Sequence, residues 1–426
     1  MMITNKNSTR FSNGLPLWGL GGFLFLFLFG MGGYAQTLDE YLLVAAEQNP
    51  KLKSAYAQFE ASMQKAPQVA SLPDPALTMS AFGRMIETRL GAQEARFNLM
   101  QMFPWFGTLK AKEDAANLMA EANFQKYLDL RNKVFYDVKS VYAEIYALEK
   151  TIQLKQENLE ILDSYRELAL SKFKSGNAPM VNVVKVDIQR DAAITEIELL
   201  EDLKKPLKIQ FNLLLSRETE TSVAVQDTLI FQDVVMPELG SELFEDHPSV
   251  TGLKKQKQSY EMQEKVAEKE GLPMLGLGVD YSIISKRTDA NPEMNGRDAI
   301  MPMFSVSLPI FRNKYKAAKK EAELMAESAE QDQRVQKNEL QNDFEMAVYE
   351  INRAKKLLAL YEKQLKSSGQ ANKLLISGFS NALIDFEEVL QMNQDVLLYQ
   401  TQKIEAIKTG FVAESKLEYL ISKTEK

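Results

Sequence analysis

The chain has 426 residues, with no cysteine, one histidine (His247) and two tryptophans (Trp18, Trp105). Without cysteine there is no disulfide, no thiolate nucleophile, no Cys-based zinc site and no lipidated N-terminal cysteine. Lys+Arg 51 against Asp+Glu 58 gives a net charge of −7, and no basic block marks a nucleic-acid partner.

The N-terminus reads as an export signal over residues 1–35. Lys6 and Arg10 form a positive start, Leu15 to Phe29 an apolar stretch, and Gly33-Tyr34-Ala35 places small residues for cleavage before Gln36. An uncleaved membrane anchor is the alternative. Cleavage removes two positive charges and no acidic residue, taking the net charge from −7 to −9. Export places the chain in the periplasm or outer membrane of a Gram-negative bacterium. No other segment approaches ~18–20 uninterrupted apolar residues, so a membrane role falls to β-strands, which need only ~9–11 alternating residues.

Beyond the signal the chain runs through one layout twice, over residues 36–235 and 236–426. Asn49-Pro50 recurs as His247-Pro248, Pro104 as Pro309 and Ser175-Gly176 as Ser377-Gly378, at offsets of 198, 205 and 202. Around each landmark come a short helix, a longer helix, a pair of β-like runs, a very long helix, a tight turn and a returning helix. The repeat is far longer than solenoid units of ~20–50 residues, so it marks a duplicated half-molecule.

The β-like runs fall at about 76–88 and 93–102, then at about 274–285 and 299–308. Leu77, Met79 and Ala81 alternate with Thr78 and Ser80; Phe97 and Leu99 continue the pattern. In the second pair Leu275, Leu277, Val279, Tyr281 and Ile283 alternate with Gly276, Gly278, Asp280 and Ser282, followed by Phe304, Val306 and Leu308. One apolar and one polar or small face fits a barrel wall between lipid and water; a hairpin packed on a soluble core is the alternative. Four strands close no barrel, and bare sheet edges do not sit in lipid, so a barrel needs several chains. The polar segment Lys286 to Arg297 reads as an exposed loop.

Each pair of runs leads into a long helical hairpin, at about 107–215 and 312–424. Thr108 to Phe173 and Asn313 to Ile376 are expected as continuous helices, each spanning ~100 Å at 1.5 Å per residue. Val134, Val138, Val141, Ile145, Leu148 and Ile152 step by four and three, a seam of period 3.5, with Phe344, Val348, Ile351, Leu358, Tyr361 and Leu365 as its counterpart. Ile194, Ile197, Leu203, Leu207, Phe211 and Leu214 form the returning seam, with Pro206 expected to kink it. Gly176 and Gly378 are both expected at the left-handed position that ends a helix.

These features together resemble the outer-membrane efflux protein family typified by TolC. The resemblance rests on the duplicated layout, the strand pairs, the junctions Phe103-Pro-Trp-Phe-Gly107 and Leu308-Pro-Ile-Phe311, and the turn Phe173-Lys-Ser-Gly176. Leu72-Pro-Asp-Pro75 followed by Phe103-Pro-Trp-Phe-Gly107 is most similar to the heavy-metal efflux branch. The implied fold is mainly α with a small β contribution: a homotrimer whose long hairpins form an α-barrel tunnel and whose four strands per protomer build a twelve-stranded outer-membrane barrel. The implied function is the exit channel of a tripartite efflux or type I secretion system. Its implied partners are outer-membrane lipid, a periplasmic adaptor and an inner-membrane pump of the RND type. Metal cations or small toxic compounds are the candidate cargo. A soluble coiled-coil scaffold or an adaptor is the alternative, although an adaptor would add a β-rich lipoyl-like half that this chain lacks.

On that resemblance Phe173, Gly176 and Gly378 form the tips that dock the adaptor, Asn182, Asp385 and Glu388 the pore entrance, and Pro104, Gly107 and Pro309 the strand–helix junctions. The second tip departs from the family pattern, with one extra residue before Asp385. Asp385 and Glu388, three apart, are expected to share a helix face and to ring the pore with carboxylates that favour cations; a solvated helix face is the plainer reading. Met100, Met102, Met301 and Met303 carry soft thioethers that bind Cu(I), but methionine is also a common packing residue, and the two pairs are out of register with each other. His247, opposite Asn49 in the repeat, is expected to be structural. No nucleophile–base pair, phosphate loop or paired catalytic carboxylate stands out, so neither an enzyme nor a cofactor is expected.

Overall fold

The computed structural model describes residues 37–231, 243–381 and 383–422. The expected signal peptide and the expected boundary between repeats at 235 and 236 lie outside the described residues. The first repeat opens with α1 (Leu38–Gln48), α2 (Pro50–Met63) and α3 (Lys65–Ala70), followed by β1 (Ala76–Thr88), β2 (Gly91–Phe103), α4 (Thr108–Lys174) and α5 (Val181–Leu214). The second comprises α6 (Pro248–Glu270), β3 (Met274–Ile284), β4 (Ala299–Ser307), α7 (Asn313–Ser380) and α8 (Phe386–Leu420). α4 and α7 begin 205 residues apart, as do α5 and α8. A short helix expected ahead of His247 falls largely in residues outside the description; residues 243–246 form a turn.

Local chemistry sets the helix starts. Thr37 and Glu40 form a reciprocal capping box on α1, each side chain taking the other's backbone N–H at 3.3 Å. Asn49 caps α2 by accepting from Lys51 N at 2.9 Å, and Pro50 fills the first helical position, where its missing N–H costs nothing. α4 and α7 run 67 and 68 residues. A helix this long gains little from propensity alone and needs apolar packing along its length.

That packing comes in three clusters spaced along the hairpins. Tyr41, Val138, Val141, Tyr142, Ile145 and Phe211 form one, and Phe344, Ile351, Leu417 and Leu420 anchor another. The third lies at the hairpin tips, around Tyr165, Val186, Phe379 and Phe386. The first seam is buried as expected, from Val134 to Ile152. The α5 seam is so only at its end: Phe211 is buried and Ile197, Leu207 and Leu214 half-buried, whereas Ile194 and Leu203 are exposed, as are Val184, Ile188 and Leu199. α5 continues through Pro206.

All four strands join one antiparallel sheet in the order β1-β2-β3-β4. β2 and β3 pair across the two repeats, from Phe103↔Leu275 to Gln93↔Ile284. β1 and β4 therefore each keep one unpaired edge.

Candidate functional site

The register sorts the sheet into two chemically distinct faces. Phe97, Tyr281 and Ile300 stand level across β2, β3 and β4, as do Leu99, Val279 and Pro302; Phe103, Leu275 and Val306 continue this apolar face. It is the exposed face: Phe304 is 87 % accessible, Val306 53 %, and Leu77, Met79, Leu99, Leu277 and Val279 are open as well. The opposite face carries Arg96, Asn98, Asp280 and Ser282, and there Asp280 is buried to 2 %. Its carboxylate accepts from Arg96 Nε at 2.7 Å, Asn98 Nδ2 at 3.3 Å and Ser282 Oγ at 3.4 Å, so the buried charge is fully partnered. A sheet that leaves its large apolar side chains in the open while its other face buries a paired carboxylate reverses the ordering of a water-soluble protein. It argues against a hairpin packed on a soluble core.

Below the sheet the junctions turn strand into helix. Gly107 adopts φ 78°, a left-handed conformation cheap only for glycine, as the residue that starts α4. Thr108 N donates to Trp105 O at 3.0 Å, and Lys269 Nζ reaches Phe106 O at 3.3 Å, tying the first junction to the end of α6. Pro104 and Pro309 are half-buried, whereas Phe106, Leu308, Ile310 and Phe311 project outward. Apolar and aromatic residues at this level suit the girdle at a membrane–water boundary.

At the far end of α4, Gly176 takes φ 78°. Gly176 N donates to Phe173 O and Asn177 N to Lys172 O, both at 2.9 Å, the paired bonds of a Schellman closure. Phe173 is exposed beside it. The second tip differs from the expectation. α7 continues to Ser380, so Gly378 is a helical residue rather than a left-handed terminator. Leu383 N closes the helix onto Gly378 O at 2.9 Å, which puts Gly378 three positions back from the cap. There its missing side chain admits Ile384, whose Cδ1 would lie 2.5 Å from an added Cβ. The Ser-Gly pair repeats in sequence but not in structural position.

The same four-residue extension corrects the carboxylates. α8 starts at Phe386, so Asp385 is its extended cap residue and shares no helix face with Glu388. Both are exposed at the tip, and neither forms an ion pair among the described residues. Asn182 is half-buried in the first turn of α5, and by the 205-residue offset its counterpart is Glu387.

Sequence reasoning missed the groups that bind the tips together. Lys185 of α5 pairs with Glu387 of α8, and Lys172 of α4 donates to Ser380 O of α7. Within the first hairpin Arg166 bonds Asp187 at 2.7 Å and Arg190 bonds Asp163 at 2.5 Å. Beneath them the rings of Phe379 and Phe386 pack at a tilt of 40° with centroids 4.7 Å apart, and Asn393 donates to Asn158 at 2.8 Å in a buried amide pair. Exposed ion pairs are screened by water and contribute little, so the apolar cluster carries the cohesion and the charges set its register. The ion-pair partners stand 21 to 202 residues apart, a separation that leaves no local signal.

His247 is 1 % exposed and caps α6 through Ser249 N at 3.3 Å, while its Nε2 meets Tyr419 O at 3.3 Å. Asn49 does the same in the first repeat, accepting from Lys51 N and donating to Leu214 O at 2.8 Å. Burial lowers the His247 pKa below its ordinary value, against the opposing pull of Asp129 and of the Tyr419 carbonyl. Among the described residues no group of three or more His, Cys, Asp or Glu could hold a metal ion, and no helix is long and apolar enough to cross a membrane.

Comparison with known proteins bears on the whole arrangement. The family model described as "Outer membrane efflux protein" matches residues 42–205. No curated protein matches in sequence. Among solved structures, the outer-membrane channel OprN superposes with a TM-score of 0.76 at 16% identity, covering 90% of this chain and 89% of its own. The outer membrane protein VceC from Vibrio cholerae gives 0.74 at 15%, covering 91% and 96%, and CusC gives 0.77 at 13%, covering 92% and 93%. The chain thus matches the outer membrane efflux protein model over residues 42–205 and, across about nine-tenths of its length, shares the fold of these solved outer-membrane proteins.

Proposed function

We propose that the protein is the outer-membrane channel of an efflux system, a passive exit that extends into the periplasm. The observation that carries this reading is the four-stranded sheet, whose apolar face is exposed, whose other face buries the paired carboxylate of Asp280 and whose two edges are unpaired among the described residues. Lipid is the solvent that suits the outward face, and only closure with further copies removes the edges from it. Three copies give a twelve-stranded barrel, within the size range of outer-membrane barrels. The exposed apolar row on α5 supports the same assembly, because a neighbouring hairpin would cover it.

In this arrangement the hairpins form the tunnel wall, and the tips around Phe173, Gly176 and Gly378 face a periplasmic adaptor that joins the channel to an inner-membrane pump of the RND type. Asn182, Asp385 and Glu388 line the entrance, where repeated carboxylates favour cationic cargo. The chain performs no catalysis; cargo choice rests with pump and adaptor, with metal cations or small toxic compounds as the candidate classes.

The test is the mass of the mature protein extracted from outer membranes in detergent, by light scattering corrected for bound detergent, followed by bilayer recordings. Three protomer masses and discrete conductance steps are expected. A species that stays soluble without detergent and conducts no ions overturns the channel and favours a periplasmic scaffold.

A further inference from the structure

Folding places the four methionines on one face of the sheet. Met100 of β2, Gly278 of β3 and Met303 of β4 stand level; Met102, Gly276 and Ser305 form the next row, and Asp280 and Met301 the row on the other side. All lie on the face that holds Asp280: Gly276 and Asp280 are buried, Met100, Met102, Met303 and Ser305 half-buried, and Met301 exposed. The two glycines leave the floor open, and the thioethers move into that space. A Cβ added at Gly276 would lie 2.6 Å from Met102 Sδ and 3.1 Å from Met100 Sδ, and one added at Gly278 would lie 3.1 Å from Met100 Sδ. From the other side Met303 reaches across β3, its Sδ accepting from Asn98 Nδ2 of β2 at 2.8 Å. The sulfurs of Met100 and Met102 therefore sit over the two glycines, and that of Met303 comes across β3 to Asn98, the neighbour of Met100 on the same face of β2.

Simple packing accounts poorly for this choice. A strand interior that needed only filling could use alanine or valine at 276 and 278 with shorter partners, whereas glycine weakens a strand. Here glycine makes room for long, flexible, polarizable side chains whose sulfurs are their outermost ligating atoms. No imidazole and no thiolate stands near, which disfavours zinc-like ions; thioethers select soft monovalent metals. The one nearby carboxylate, Asp280, is neutralised by Arg96 at 2.7 Å, so the local field gives a divalent ion no added advantage.

We propose that Met100, Met102 and Met303, with Met301 beside them, form a thioether site for a soft monovalent cation, Cu(I) or Ag(I), on the inward face of the sheet. That the site lines a conducting lumen rests on the channel reading above; that it binds the ion does not. All-thioether ligation without an anionic ligand gives an exchangeable site, the property a conduction pathway needs.

The test uses the full-length protein in detergent, titrated with Ag(I) in chloride-free buffer, because silver is a redox-inert probe of soft sulfur ligands. Saturable binding of one ion per protomer, uncontested by Zn²⁺, is expected, and the triple variant Met100→Leu/Met102→Leu/Met303→Leu should weaken it by at least about tenfold. Unchanged affinity in that variant overturns the site. If the variant does not assemble, the unmodified protein still decides. Bound Ag(I) should slow peroxide oxidation of Met100, Met102 and Met303 in mass-spectrometric footprinting while the exposed helical Met325 and Met346 oxidise at their usual rate. Equal rates with and without Ag(I) at all five overturn it. A trimer that binds no silver sinks the site and leaves the channel; a detergent-free soluble protein that binds silver does the reverse.

Discussion

His247 and Asn49 solve one problem with different chemistry. Each caps a helix that begins with proline and returns its second polar atom to a carbonyl near the end of a distant helix, Tyr419 O or Leu214 O. The amide is indifferent to pH; the imidazole is not. Burial depresses the His247 pKa, so the folded state resists protonation while the unfolded chain takes up its proton near the ordinary value of ~6.5. The unfolded state then binds more protons, and stability falls as pH drops below that value. Thermal unfolding at about pH 7.5 and about pH 5.5 should show a larger loss on acidification for the native chain than for His247→Asn, which installs the first repeat's cap. An equal loss in both would assign the acid sensitivity elsewhere. The buried Asn158–Asn393 pair is a second local commitment. Asn158→Ala leaves the Asn393 amide without its acceptor and should cost ~1–3 kcal/mol, whereas the double alanine variant should cost less than twice that in a denaturant series.

At the scale of elements, the two tips reach the same end by different routes. Gly176 is required by its backbone conformation and has open space around it, whereas Gly378 is required by the close approach of Ile384. Gly176→Val therefore strains the turn without a clash, and Gly378→Val overpacks the tip by ~1–3 kcal/mol. Both should abolish efflux in cells while the detergent-extracted mass stays that of the native assembly; full efflux by either variant would remove that tip from adaptor docking. In the sheet, Val306 lies on the exposed apolar face level with Leu275. Val306→Arg near the membrane midplane should cost ~2–4 kcal/mol and reduce outer-membrane assembly. Normal assembly would count against the lipid-facing assignment.

At the scale of the whole molecule, the proposed assembly answers what a single copy leaves open among the described residues. Among the described residues β1 and β4 have bare edges, and the apolar row of α5 has no cover. Asp385 and Glu388 bear on function only at this scale: one pair of exposed carboxylates is a solvated surface, but in the proposed assembly copies around an axis would make rings at an entrance. Asp385→Asn together with Glu388→Gln should shift the reversal potential of the channel in a salt gradient toward non-selectivity, and an unchanged potential would take both residues out of the pore lining.

The strands, the long helices and their doubled order were legible in the sequence because alternation of period 2 and stepping by three and four are local properties of a chain. Gly176 was legible for the same reason, being demanded by the backbone at one point, whereas Gly107 was marked only as part of a junction and its left-handed turn was seen in the structure. Gly378 was misread because Ser-Gly repeats locally, while the end of α7 is set by where Leu383 N and Ile384 find partners. Asp385 followed it into error, since its place depends on where α8 begins. The ion pairs of the tips, the shared cap geometry of Asn49 and His247, and the meeting of Met100 and Met102 with two glycines and of Met303 with Asn98 join residues far apart in the chain. Such contacts come from the pairing of β2 with β3 and the packing of hairpin on hairpin, so only the tertiary structure decided them.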